Sequence, residues 1–422
     1  MKLKTIGTVL CLVGVLAGIS GCGDAQEADT EKLVICTDEI HKDTVETLAE
    51  DWRNMVDGAE VEIISIPQDE SLAQTKITEL RTELMSGGGP DVFLVGCNID
   101  TDDGEAPMLF PNPEKAMYSG LFLPLDDYME NARYMDPEHW NQKIMSAGKT
   151  PEGQLTLPIA YTYCAYAFDT EALENPSSVP GSWDELLQCQ EPAIRNNVPY
   201  GACLWLSQTF ARLADYENET LMFSEEELEK RVEDALAWQM GSQVTEEQSP
   251  VTAYAQVGDT FWSQVSEMAG NPETILPVPN DENGVTAYVT LYAAVNRNTE
   301  HPEQAFDLLD FMFSDQVMTG VGFASEDSDT NYGHSNNFSF ATGVLTNTEA
   351  ARQALRVPAA QALYEDTETR ITHVRYYSQL DNTISQMYSE CFLEEVGASS
   401  GENGKKEIIA QAYQTMCMQL AE

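Results

Sequence analysis

One stretch, Ser71 to Val95, most restricts the fold open to this chain, because a helix, its stop and a buried strand follow one another within it. Leu72, Ile77, Leu80 and Leu84 recur at helical spacing, while Gln74, Lys76, Glu79, Arg81 and Glu83 fall largely elsewhere. That pattern predicts an amphipathic helix. The glycines Gly87 to Gly89 supply the left-handed backbone that ends a helix, and Pro90 forbids its continuation. Asp91-Val92-Phe93-Leu94-Val95 is then a short, nearly continuous apolar run, as expected of a strand buried on both faces of a parallel sheet.

The residues upstream complete the unit. Leu33 to Cys36 reads as a strand, Val45, Leu48, Ala49, Trp52 and Val56 form one helical stripe, and Val61 to Ile66 reads as a second strand stopped by Pro67. A βαβαβ order with right-handed crossovers implies a doubly wound half-domain whose ligands bind off the carboxyl ends of the strands. Asp38, Glu39, Gln68, Asp69, Cys97 and Asn98 are delivered there. Asp38 and Glu39 suit paired hydrogen bonds from vicinal hydroxyls, and suit equally the start of a helix. The loop Asp100 to Glu105 has the opening of a calcium loop without its distal glutamate, and reads as a solvated acidic loop.

At 422 residues the chain is too long for one core, so two lobes are expected. A net charge of -48 disfavours nucleic acid as a partner. Lys2 and Lys4 precede the apolar run Ile6 to Leu16, which reads as an export signal rather than a permanent span. Gly23 to Lys32 is polar and acidic and reads as a tether. The cysteines after Cys22 lack any C-x-x-C pair, so most are expected to be small buried hydrophobes; a thiol cluster of Cys36, Cys97 and Cys164 is the alternative.

Further along, Ile159 to Asp169 alternates aromatic residues, which predicts a strand with one packed and one available face. Tyr200 to Trp205 reads as a strand with Trp205 at its carboxyl end, placed for stacking. Ser182 with Glu185, and Ser224 with Glu227, read as capping boxes.

Four segments carry a family resemblance: Thr78 to Val95, Gly120 to Tyr128 (GLFLPLDDY), Ser182 to Leu187 (SWDELL) and Glu303 to Ser314. Together they resemble the extracellular solute-binding proteins of bacterial ABC importers, family 1, relatives of maltose-binding protein. The resemblance implies an α/β, two-lobe periplasmic-binding-protein-like fold of type II. Each lobe would be a doubly wound, mostly parallel sheet, with two crossing strands as the hinge. It implies a signal peptide at 1–21, a tether at 22–32, a first lobe of 33–160 and 294–345, and a second of 161–293 and 346–422. Ile19-Ser20-Gly21-Cys22 resembles a lipobox, which makes Cys22 the lipidated N-terminus.

The resemblance also extends the candidate ligand-binding set. Tyr161 and Tyr163 stand where the family first crosses between lobes, and Tyr292 stands on the second crossing strand. Trp262 follows a glycine turn at a cleft position, and Tyr376 and Tyr377 stand just ahead of the penultimate helix, where relatives place a sugar-stacking ring. Val95 occupies a position where maltose-type relatives present tryptophan, which argues against a maltodextrin-like ligand.

The expected function is a lipid-anchored extracytoplasmic receptor that closes on a sugar or oligosaccharide and delivers it to a permease driven by an ATPase. The same fold serving a peptide, polyamine or metal-bearing solute, or a sensor, is the alternative. A monomer is expected, with no cofactor, no bound metal and contact with the membrane through the lipid alone. An exported glycosidase is the competing class, but the chain has no G-x-S-x-G or H-E-x-x-H, and its histidines are scattered without ligand spacing.

Overall fold

The computed structural model describes residues 32–56, 60–97, 108–169, 171, 173–175, 180–241, 251–258, 261, 273–324, 331–332, 343–355, 358–397 and 404–421. Among the candidates, Cys22, Asn98 and Trp262 lie outside the described residues, as does the acidic loop at 100–105.

Strand β1 (Lys32–Asp38), helix α1 (Lys42–Val56), strand β2 (Glu60–Ile66), helix α2 (Glu70–Met85) and strand β3 (Val92–Gly96) make the expected βαβαβ unit. β1 pairs in parallel with β2 and with β3. Helix α2 begins where the Asp69 carboxylate accepts the N–H groups of Ser71 and Leu72, each at 3.1 Å. It ends at Gly87 and Gly89, whose φ angles are 87° and 96°. A Cβ at Gly89 would lie 2.8 Å from the Leu84 side chain, so the stop signal and the last core residue of the helix interlock. The buried stripe is Ala73, Ile77, Leu80 and Leu84. Leu72 is 59% exposed, because it sits one residue off that stripe.

Helix α3 (Pro113–Tyr118) follows, and the chain then enters β4 (Thr156–Thr162) and, after Tyr163, β5 (Cys164–Asp169). The aromatic run is thus two strands in two sheets, and no face is left open. β4 is buried throughout, and Tyr163 to Phe168 are buried as well.

Helix α4 (Trp183–Gln188) is capped by Ser182, but Glu185 reaches back to the N–H of Gly181 at 2.8 Å instead of closing the box. Helix α5 (Pro192–Ala202) and the 3-10 turn Cys203–Thr209 occupy the segment expected to be a strand ending at Trp205. A short apolar run carries no period that separates strand from helix, and Pro192 opens the helix at a favoured position. The side chain of Trp205 is outside the described part.

Helix α6 (Glu225–Met240) has the complete Ser224–Glu227 capping box. Strands β6 (Val251–Gln256), β7 (Glu273–Pro277), β8 (Val285–Val295), β9 (Val344–Leu345) and β10 (Ile371–Tyr376) follow in turn. Between the later strands lie α7 (Pro302–Met312) and α8 (Pro358–Arg370), and α9 (Gln379–Glu395) and α10 (Lys405–Ala421) end the chain.

The large sheet runs β9-β4-β8-β3-β1-β2, with β10 parallel to β8. One face packs on α1 and α7 through Leu33, Ile35, Trp52, Phe306 and Leu309. The other packs on α2 and α3 through Cys36, Ile77, Leu80, Phe93 and Met117. The second sheet, β6-β5-β7, is antiparallel in every described pairing, where a mostly parallel sheet was expected. Its core joins α4, α6, α9 and α10 through Trp183, Leu228, Val232, Ile384, Met387 and Met416. The backbone passes between the sheets at Tyr163, at residues 278–284, and from β10 into α9. No described helix is long and apolar enough to cross a membrane.

Candidate functional site

The carboxyl ends of β1 and β3 are joined by a carboxylate. Asp38 Oδ2 accepts the N–H of Gly96 at 2.6 Å, and the N–H of Cys97 donates to the Thr290 carbonyl at 2.8 Å. Gly96 leaves little room here, since a Cβ would meet Asp38 Oδ2 and the Thr290 oxygen at 3.3 Å. Burial raises the Asp38 carboxyl to about 6, against the opposing pull of the Gly96 hydrogen bond. Glu39 is exposed and accepts the Gln68 N–H at 2.8 Å, which ties the ends of β1 and β2. Each carboxylate therefore spends one oxygen on backbone.

Beside Asp38 stands an aromatic group. The rings of Tyr292 and Tyr376 meet edge to face at 5.0 Å, and Tyr377 meets Tyr288 at 6.1 Å. The Tyr376 hydroxyl hydrogen-bonds Thr156. Tyr292 and Tyr376 have almost no exposed surface, and Tyr377 retains 7%. The Cys97 thiol accepts the Tyr377 N–H, so the end of β3 touches the start of the last crossing.

Tyr161 and Tyr163 gather elsewhere, around Glu368 of α8. The Tyr161 and Tyr364 hydroxyls are 3.2 Å apart, Tyr163 donates to Glu368 Oε1 at 3.5 Å, and Asn141 donates to Oε2 at 3.1 Å. Burial pushes Glu368 up to about 7, opposed by hydrogen bonds from Tyr161, Asn141 and Tyr163 and by the Lys143 charge. Both tyrosines are fully buried, so in this conformation neither ring offers a surface to a solute.

A third polar group was not anticipated from sequence. Arg375 is clasped by Asp381 and also donates to the Tyr288 hydroxyl at 2.8 Å and the Ser207 carbonyl at 3.2 Å. Ser378-Gln-Leu-Asp381 is a capping box, the one local signal that could have marked it. Glu114 accepts the Tyr376 N–H and is raised to about 7, first by burial.

The thiols of Cys36, Cys97 and Cys164 are free and buried, and burial raises all three, Cys164 to about 12. The described residues contain no set of His, Cys, Asp and Glu disposed to hold a metal ion.

The family model of bacterial extracellular solute-binding proteins matches residues 39–319 of this chain. The chain belongs to that family. Among solved structures, the sugar-binding protein MalE of Xanthomonas citri is similar at a TM-score of 0.60 and 14% identity, covering 92% of this chain and 97% of that one. A periplasmic oligogalacturonide-binding protein from Yersinia enterocolitica gives 0.57 and 13%, covering 92% and 99%. A family 1 extracellular solute-binding protein from Alicyclobacillus acidocaldarius gives 0.54 and 12%, covering 93% and 98%. At such identities these likenesses speak to the fold alone, and that fold is the two-lobe one of periplasmic binding proteins. No curated protein matches the chain in sequence. Solute-binding proteins of this family act outside the cytoplasm, as the export signal led us to expect.

Proposed function

We propose that this solute-binding protein is anchored by a lipid on Cys22 and binds a sugar or oligosaccharide between two lobes, of residues 33–160 with 294–345 and 161–293 with 346–422. It then delivers the solute to the transmembrane subunits of an ABC importer. The observation that carries the reading is the meeting of Asp38, Cys97 and Tyr377 where the carboxyl edge of the first sheet faces the last crossing into the second core. A carboxylate with one oxygen that meets no hydrogen-bond donor among the described residues, and a ring edge within one small region, suit a pyranose, which offers hydroxyls in its plane and an apolar face above it. Glu39, Asn98, Trp205 and Trp262 complete the proposed site, with Tyr161, Tyr163, Tyr292 and Tyr376 supporting the crossings behind it. The ligand shifts an open–closed equilibrium by its differential affinity, with no covalent step. Two of the structural neighbours are the sugar-binding protein MalE and an oligogalacturonide-binding protein, which supports the carbohydrate class.

The test is a thermal-shift screen of the chain from Gly23 onward against mono- and oligosaccharides, amino acids, polyamines and metal ions, with analysis of whatever is recovered. A sugar that raises the melting temperature and is recovered intact supports the reading. A shift with polyamine or metal alone discards the carbohydrate, and a cleaved sugar overturns the receptor in favour of an enzyme.

A further inference from the structure

The turn that carries the backbone from β7 to β8 sets an asparagine beside a glycine, each for its own steric reason. Asn283 has a φ of 58°, a left-handed backbone that asparagine tolerates better than most residues. At Gly284 a Cβ would lie 2.1 Å from Thr372 Oγ1 and 2.2 Å from its Cγ2, so no side chain fits. Asn283 is exposed, and its side-chain amide makes no hydrogen bond to a described residue. Gly284 is buried.

Asn280, which has no exposed surface, organises this turn. Its Oδ1 accepts the N–H of Gly284 at 3.1 Å and that of Glu282 at 3.0 Å, and its own N–H donates to the Gly284 carbonyl at 2.7 Å. Its Nδ2 donates to Thr286 at 3.1 Å and Thr372 at 3.2 Å, and its carbonyl accepts the Trp183 N–H at 3.3 Å. One buried residue thus joins β8 and β10 of the large sheet to α4 of the second core.

An Asn-Gly pair is chemically reactive, because glycine has no side chain to keep its backbone nitrogen away from the asparagine amide. We propose that Asn283 is a site of spontaneous covalent modification, deamidation through a cyclic imide, and that the hydrogen bond from Gly284 to Asn280 is its gate. The Gly284 nitrogen bonds to Asn283 Cγ, the Cγ–Nδ2 bond breaks, and the amide leaves as ammonia with the proton that Gly284 gives up. The five-membered imide then takes up one water, which opens either of its C–N bonds and leaves aspartate or isoaspartate. Nothing is oxidised or reduced, and water is the only co-reactant. In the closed turn the Gly284 N–H is held by Asn280, so attack waits for local opening.

The products disturb a passage between the two sheets. Isoaspartate adds one backbone carbon between residues 283 and 284, which draws Gly284 off Asn280. Either product sets a new carboxylate beside Asp281, which accepts the Ala211 N–H and Arg231, and Glu282, which lies 3.4 Å from His373. Conversion therefore lowers the melting temperature.

The test incubates the chain from Gly23 onward at mildly alkaline pH, folded and in guanidinium chloride. Peptide mapping reads the conversion and separates residue 283 from the other Asn-Gly pair, at 403–404. Asn283 should convert in both samples, about tenfold or more slowly in the folded one. Asn280→Ala frees the Gly284 N–H and should speed conversion of the folded chain severalfold. Thr372→Val, at an exposed position, takes one partner from Asn280 and should speed it less. Asn283→Gly suits the left-handed backbone and has no amide to lose, so ageing should lower the melting temperature of the parent and spare this variant. No conversion in guanidinium chloride, equal rates in the two samples, or equal ageing of parent and Asn283→Gly overturns the proposal. So does a folded Asn280→Ala chain that converts as slowly as the parent or, should that variant not fold, an unchanged rate in Thr372→Val. None of these readouts involves a solute.

Discussion

The two terminal nitrogens of Arg375 meet the two carboxylate oxygens of Asp381 at 2.7 and 2.8 Å, with both residues buried. Asp381 Oδ2 also accepts the N–H and hydroxyl of Ser378, at 3.0 and 3.1 Å. One carboxylate thus caps α9 and fastens it to β10 across Tyr377. Removing the acceptor leaves a guanidinium charge buried, so Asp381→Asn should cost about 3–5 kcal/mol in urea unfolding. The double replacement Arg375→Met with Asp381→Leu should recover most of that loss. A single-variant cost under about 1 kcal/mol would show that the pair does not hold the crossing.

A second carboxylate makes a similar prediction from backbone alone. Asp310 on α7 is 2% exposed and accepts the N–H groups of Arg133 at 2.7 Å, Tyr134 at 3.0 Å and Met135 at 2.7 Å. Asp310→Ala strands three donors, at about 1–3 kcal/mol for each one left dry. Denaturant titration should show a loss of about 3 kcal/mol or more, and amide exchange at 133–135 should quicken. Unchanged exchange there would mean that other acceptors replace it.

How far these features could be read from the sequence depended on how local they are. Ile77, Leu80 and Leu84 came out of a periodic stripe, and Gly87 to Pro90 out of chain stereochemistry, because both operate within a few residues. The Ile159 to Asp169 run misled, since alternation reports the pleat but not what covers each face, and here helix α8 covers one through Tyr364. Tyr200 to Trp205 was too short to show a period. Glu368 meets Tyr163 and Asn141 across more than 200 residues, and Arg375 reaches Ser207 across 168, so no window along the chain contains either group. Arg375 with Asp381 was legible only as half a capping box.

The raised carboxyls give stability a direction with pH. Asp38 is lifted to about 6, and Glu114 and Glu368 to about 7, in each case first by burial. An acid whose folded pKa exceeds its unfolded value binds more protons when folded. Its contribution is therefore full below the ordinary carboxylate range, about 4, and is lost as pH climbs through 6 to 7. Asp69, Asp215 and Glu227 are held down by hydrogen bonds and act oppositely, losing their contribution as pH falls below about 4. The melting temperature should peak near pH 4.5 to 5 and decline to pH 7.5, about where the two sets balance. Glu368→Gln should shrink the decline. An identical slope in that variant would show that Glu368 titrates normally.

Tyr377 supplies the most direct check on the proposed sugar site. The residue is 7% exposed and its ring leans edge-on toward Tyr288, so the ring is already held in place before a ligand arrives. Once the screen has provided a sugar, Tyr377→Ala should lower its affinity by about tenfold or more, as should Trp205→Ala. Asp38→Asn separates two roles, because an amide keeps an acceptor for the Gly96 N–H but weakens hydrogen bonds from sugar hydroxyls. We expect Asp38→Asn to lose sugar affinity with little change in melting temperature. A variant that melts early and binds normally would make Asp38 a strand tie alone and move the ligand elsewhere along the carboxyl edge.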